Sequence, residues 1–173
     1  ESNSVGKGTG WLPHYLIAES SNDIVGVMPF YLKGHSQGEY IFDHNWAQAL
    51  NQSGSSYYPK FQIAVPFTPV SGRRILTKSS LETVASDALI KAAKQIANEN
   101  QISSIHVTFC SNTEIEKAKK WDLLSRKNLQ YHWVNNDYRH FDEFLAALSS
   151  RKRKVLKRER RVALEFGGKI SQL

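Results

Sequence analysis

SSLETVASDALIKAAKQIANENQISSIHVTFC, residues 79–110, places two different periodicities side by side. Leu81, Val84, Ala85, Ala88, Leu89, Ala92, Ala93 and Ile96 recur at spacings of three and four, which predicts an amphipathic helix opened by Ser79 or Ser80, with one stripe facing a sheet. ISSIHVTFC (102–110) then runs with almost no polar alternation, the pattern of a central strand covered on both faces. A helix followed at once by a buried strand implies layers of helix on sheet.

Outward from that core the same alternation continues. Asn112 or Thr113 starts another expected helix through about Arg126, with Ile115, Ala118 and Leu123 inward, and LQYHWVN (129–135) reads as the last strand. Upstream, HYLIAE (14–19) and DIVGVMPFYLK (23–33) form an expected hairpin across Ser20, Ser21 and Asn22. GEYIFD (38–43) is a third expected strand, and Asp43 is placed to cap a short helix over HNWAQALNQ that ends before Gly54. KFQIAV (60–65) is the next strand, and Pro66 and Pro69 then remove two backbone donors, so the chain must leave the sheet. The expected fold is α/β in the mixed α+β sense, a central mixed sheet flanked by helices.

Residues 137–173 read as a separate unit from 1–136. FDEFLAAL sets Phe141, Phe144, Leu145 and Leu148 on one face. Ser149 or Ser150 is placed to cap a second helix that reaches Phe166 and stops at Gly167 and Gly168. The chain begins at Glu1 without a methionine and stops as KISQL (169–173) starts to read as a strand, so it is expected to be a piece of a longer protein.

At 173 residues with 40% apolar content, the chain has enough material for one substantial core. No apolar run approaches the roughly 20 residues that span a bilayer, and no signal-peptide pattern is visible. The single cysteine, Cys110, excludes an internal disulfide and reads as a buried structural thiol, and a cytoplasmic setting is expected. Charge is concentrated: RKRKVLKRERR (151–161) has eight basic residues and one glutamate, a net of +7 that equals the formal net charge of the whole chain. The remainder balances at 15 basic and 15 acidic residues, so the pI of about 9.5 describes one segment.

Two blocks have the composition of a site. GVMPFYLKGHSQGEYIFDHNW (26–46) breaks from an apolar run into polar groups interspersed with Tyr31, Tyr40, Phe42 and Trp46, aromatics that suit the lining of a concavity. YYPKFQIAVPFTPVSGRR (57–74) runs through a strand and a proline corner to Arg73 and Arg74, whose guanidinium forks match carboxylate or phosphate. His35, Ser36, Gln37 and Gly38 are either a polar loop or, with Glu39, the lining of an acceptor pocket. Asp43 is a helix cap, worth about 1 kcal/mol, or a general base. Tyr57, Tyr58 and Trp46 are packing residues or stacking platforms. The candidate catalytic set is Glu39, Asp43 and His35. The candidate substrate-binding set is Ser36, Tyr40, Trp46, Tyr58, Lys60, Thr68 and Arg73. His14, His44, His106, His132 and His140 have no metal-ligand spacing, and no metal site is expected. The basic helix either packs Val155 and Leu156 against another surface or contacts phosphates through Arg153, Lys157, Arg158 and Arg161. No aromatic residue interleaves its cations before Phe166, which disfavours single-strand stacking.

VMPFYLKGHSQGEYIFDHNW, YYPKFQIAVPFTPVSGR and FLAALSSRKRKVLKRERR, in that order, resemble the FemAB-like branch of the GNAT acyltransferase superfamily across nearly the whole chain. The resemblance implies a first GNAT-like domain over 1–136 and the opening helices of a second over 137–173. It implies transfer of an activated acyl or aminoacyl group to an amine, such as that of a cell-wall peptide precursor, with aminoacyl-tRNA or acyl-coenzyme A as donor. The implied partners are the second domain, tRNA or a phosphate-bearing precursor. The chain departs from the coenzyme A-binding members at one point. Their Gln/Arg-x-x-Gly-x-Gly/Ala loop holds pyrophosphate on backbone amides, whereas PFTPVSGRRIL has two prolines and only Gly72 there, so no cofactor is expected in this domain. A binding module with the same fold and no catalysis is the alternative.

Overall fold

The computed structural model describes residues 3–41 and 43–167. Phe42, Gly168 and the KISQL segment lie outside the described residues. The chain is a mixed α+β protein that divides into two compact units, Glu1–Asn128 and Leu129–Leu173.

In the first unit, β1 (Trp11–Pro13), β4 (Tyr31–Lys33), β5 (Lys60–Ile63) and β7 (Ile105–Val107) form a sheet in the order β1-β4-β5-β7. A second sheet has the order β2-β3-β6, from β2 (Leu16–Ser20), β3 (Asp23–Met28) and β6 (Leu76–Thr77). The β2–β3 hairpin forms across Ser21 and Asn22, both at positive φ. The expected single strand over 23–33 is split: β3 stays with β2, and past Phe30 the chain enters the other sheet as β4.

Helix α1 (His44–Gln52) and the long α2 (Glu82–Glu99) occupy their expected segments. Ser79 and Ser80 lie in a 3-10 turn ahead of α2, whose N-cap position falls to Leu81. Leu89, Ile90, Ala93 and Ala97 of α2 pack with Met28, Phe30, Phe61, Ile63, Ile75 and Trp121 as the main core. Because side chains alternate along a strand, Phe61 and Ile63 face this core while Lys60 and Gln62 face the opposite side.

Several expectations are corrected. Residues 38–41 form a loop, not a strand: Gly38 and Tyr40 take positive φ, Glu39 is buried and Tyr40 exposed. Two buried ammonium groups draw the Glu39 and Asp43 carboxylates inward. The strand over 102–110 shrinks to β7, a sheet edge parallel to β5, and the strand buried at every position is β5. Helix α3 (Asn112–Lys117) ends well before Arg126, and its cap is Ser111 in a full capping box with Glu114. Among the described residues, 129–135 form exposed coil and not a strand, despite the strand-like composition of this run. Cys110 is half-buried, and burial together with Glu114 pushes its thiol up.

In the second unit, α4 (Phe141–Ala147) and α5 (Ser150–Glu165) follow the expected pattern. Ser149 takes the N-cap position of α5 without a side-chain bond. No helix among the described residues is long and apolar enough to cross a membrane.

Candidate functional site

The antiparallel pairing of β4 with β5 sets Lys33 directly opposite Lys60. Like charges facing each other across strands repel, and neither side chain has any exposed surface. Burying two ammonium groups is tolerable only with paired carboxylates. Glu39 and Asp43 supply them. Lys60 Nζ donates to Glu39 Oε2 at 2.8 Å, Asp43 Oδ2 at 3.0 Å and Ser36 Oγ at 3.2 Å, which uses its three protons. Lys33 Nζ donates to the Gln37 carbonyl at 3.1 Å, sits 3.6 Å from the centre of the Trp11 ring and lies 3.9 Å from Glu39 Oε1.

Local sequence chemistry holds the loop in place. Gln37 O also accepts from Trp11 Nε1 at 3.0 Å. Gly38 has φ of 77°, and a Cβ there would lie 2.5 Å from the Phe67 ring, so the tight turn that aims Glu39 inward requires glycine. Asp43 stands at the N-cap position of α1 yet makes no side-chain capping bond. Its carboxylate serves the cluster: Oδ1 accepts from Arg126 Nη1 at 2.5 Å, and Oδ2 lies 3.5 Å from His106 Nδ1. Tyr58 hydrogen-bonds Ser36 at 2.7 Å and, like Tyr57, stacks near the Lys60 ammonium.

The environment shifts the protonation of these groups. Burial lowers Lys33 to about 8, Glu39 partly restoring it and Lys60 lowering it further. Burial raises Glu39 above the ordinary carboxylate range despite the opposing pull of Lys60. Burial also pushes Asp43 up, but hydrogen bonds from Lys60 and Arg126 outweigh it and hold its carboxyl low. His106 falls to about 4 through burial and the nearby Lys60 charge. Tyr57 is raised by burial and by Asp43. Glu39 Oε1 and Gln62 Oε1 are buried acceptors without a hydrogen-bond partner.

The cluster therefore unites Glu39, Asp43, Ser36, Tyr58 and Lys60 of the expected residues. The others lie elsewhere. His35 sits over Gly10, where a Cβ would approach its ring to 1.9 Å, and its Nδ1 accepts from the Gln37 amide. Tyr40 and Trp46 are 50% and 61% exposed. Thr68 Oγ1 donates to the Pro66 carbonyl. Arg73 is exposed, bonds Thr77 and lines a cavity of about 240 Å³ with Glu82, Glu114 and Lys117. Arg74 is buried and holds the proline corner by donating to the carbonyls of Val70, Gly72, Arg73 and Thr108.

On α5, Lys157, Arg158 and Arg161 are exposed. Arg153 is engaged instead with the carbonyls of Leu145, Ala146 and Leu148 at the end of α4. Within the same unit, Phe141, Leu145, Lys157, Arg160 and Arg161 border an open cavity of about 570 Å³, with the Arg160 guanidinium 4.4 Å from the Phe141 ring centre.

Lys33, His106 and Arg126 belong to the cluster, and sequence reasoning gave them no role. Lys33 and Lys60 did carry a signal: each is a charge at the end of an apolar strand run. Arg126 carried none, being 83 residues from Asp43.

No curated protein matches the chain. The model of the FemAB-like family, described as peptidoglycan biosynthesis/recognition, matches residues 1–173, and the chain belongs to that family.

Proposed function

We propose that the protein is an acyl or aminoacyl transferase of the FemAB-like type, acting on an amine of a cell-wall peptide precursor, with Glu39, Asp43 and Lys60 as the acceptor end of its site. The observation that carries this reading is an enclosed ammonium shared by two carboxylates, Lys60 Nζ bonding Glu39 Oε2 at 2.8 Å and Asp43 Oδ2 at 3.0 Å, with burial raising the Glu39 carboxyl. A carboxyl raised by burial suits a group that takes up a proton during the reaction. In the reaction, the amine nitrogen bonds to the activated carbonyl carbon and the bond from that carbon to the donor oxygen or sulfur breaks. The proton lost by the nitrogen passes to Glu39 and then to the departing atom. Asp43 orients the amine, and no covalent enzyme intermediate is needed.

The donor is aminoacyl-tRNA or acyl-coenzyme A, held outside the proline corner, where Pro66 and Pro69 offer no amide hydrogens. The resemblance to two-domain GNAT-like transferases supports reading residues 137–173 as the opening of the second domain, with the cations of α5 available to a phosphate-bearing partner. In the full-length protein, Glu39→Gln is expected to lower transfer of a labelled donor group by about 10²- to 10⁴-fold, with the circular dichroism spectrum retained. Undiminished transfer would remove Glu39 from the chemistry.

A second reading, a GNAT-like module that binds peptide or nucleic acid without catalysis, draws on one observation: the side chains of Lys33, Glu39, Lys60 and Asp43 all have zero exposure. Failure of the native full-length protein to form product from either class of labelled donor favours it.

A further inference from the structure

The enclosed cluster meets solvent through an exchangeable group. Asp43 is gripped from inside by Lys60 and from outside by Arg126, whose side chain is 48% exposed. Arg126 stands on a coil where Leu124, Ser125 and Lys127 are exposed, so its guanidinium can withdraw without disturbing the core. Counting charges, Lys33, Lys60 and Arg126 face Glu39 and Asp43, leaving one positive charge in excess. A further cation added to this set is opposed by Coulomb repulsion. A cation that takes the place of Arg126 leaves the total unchanged. The cluster also retains a buried carboxylate oxygen, Glu39 Oε1, with no hydrogen-bond donor. That oxygen faces the Lys33 ammonium at 3.9 Å, while Arg126 holds the other end of the cluster at Asp43 Oδ1.

We infer that Asp43 is a binding site for a primary alkylammonium group, occupied here by the Arg126 guanidinium, and that the ligand enters by displacing Arg126. The inference deepens the transferase reading by locating where the acceptor amine docks, and it rests on that reading only for the identity of the natural ligand. Tethering Arg126 to the chain reduces the apparent affinity for a free amine by the fraction of molecules in which Asp43 is open.

His106 reports on the site, with Nδ1 3.5 Å from Asp43 Oδ2. The experiment is a titration of the full chain with n-butylammonium chloride, followed by the imidazole nitrogen resonances of His106, in the native protein, Arg126→Ala and Arg126→Gln. A saturable His106 shift is expected in all three, at an affinity at least about tenfold higher in the two variants. Tetramethylammonium, which has no N–H, and acetate, which has the opposite charge, are expected to leave His106 unmoved. Absence of a saturable shift in the variants, equal affinity in native and variant protein, or an equivalent response to acetate or tetramethylammonium would overturn the inference. Arg126→Gln keeps most of the side-chain volume, so the test stands even if the alanine variant is poorly folded. The readout needs no turnover: binding without product formation sinks the transferase reading alone, and product formation without binding sinks this site alone.

Discussion

Two side chains within one cluster give the folded protein opposite responses to acid. Burial and Lys60 bring His106 down from 6.5 to about 4, so the folded chain keeps it neutral over a range where the unfolded chain binds a proton. Its contribution to stability therefore declines as pH falls from 6.5 towards 4 and is level below that. Glu39 acts in the other direction. Its raised folded value means the folded state takes up a proton first, so its contribution is full below the unfolded value and is lost as pH rises through the folded one. Urea denaturation at a series of pH values separates the two. Relative to His106→Gln, the native protein is expected to lose about 3 kcal/mol between pH 6.5 and 4. Parallel curves for the two proteins would mean that His106 is not held neutral. At this scale the residue types were legible from composition and spacing, whereas the burial that shifts them was not. Asp43 illustrates the difference: its place before HNWAQALNQ marks a cap, and a buried lysine and an exposed arginine claim its oxygens instead.

Helix α3 has only six residues and depends on Glu114. One carboxylate oxygen accepts from the amides of Arg74 and Ile75 at 2.8 and 2.9 Å, and the other accepts from the amide and hydroxyl of Ser111 at 2.8 and 2.7 Å. A single side chain thus ties the α3 cap to the segment that follows the proline corner. Glu114→Ala leaves several buried donors without partners and is expected to cost about 3 kcal/mol or more, with faster hydrogen exchange at the Arg74 and Ile75 amides. Unchanged protection at those two amides would show that the bridge contributes little. Helices were the most readable elements, because α2 and α4 announce themselves by local spacing that needs no partner. Strands were read less well. The runs at 38–43 and 129–135 have strand-like composition, but in the first Glu39 turns inward to Lys33 and Lys60, and the second is exposed coil.

Over the whole molecule, charge is set by composition and binding by what the charges face. The excess lies in α5, where Lys157, Arg158 and Arg161 are exposed while Arg153 is spent on the end of α4. Measured across a salt series, tRNA affinity of the full-length protein is expected to fall steeply with salt. Replacing Lys157, Arg158 and Arg161 with Gln should flatten the slope by up to about 0.9 for each phosphate contact removed. An unchanged slope would leave α5 as a packing helix. Arg153 is kept in this variant because removing it would unpin α4 and confuse folding with binding. Helix positions, the hairpin, the proline exit from the sheet and the mixed α+β class follow from patterns within a few residues, where propensity and periodicity act directly. The pairing of Lys33 with Lys60, the inward turn of Glu39 and the reach of Arg126 to Asp43 join residues far apart in the chain. Strand register and the need to neutralise buried charge set these, and no local pattern encodes them.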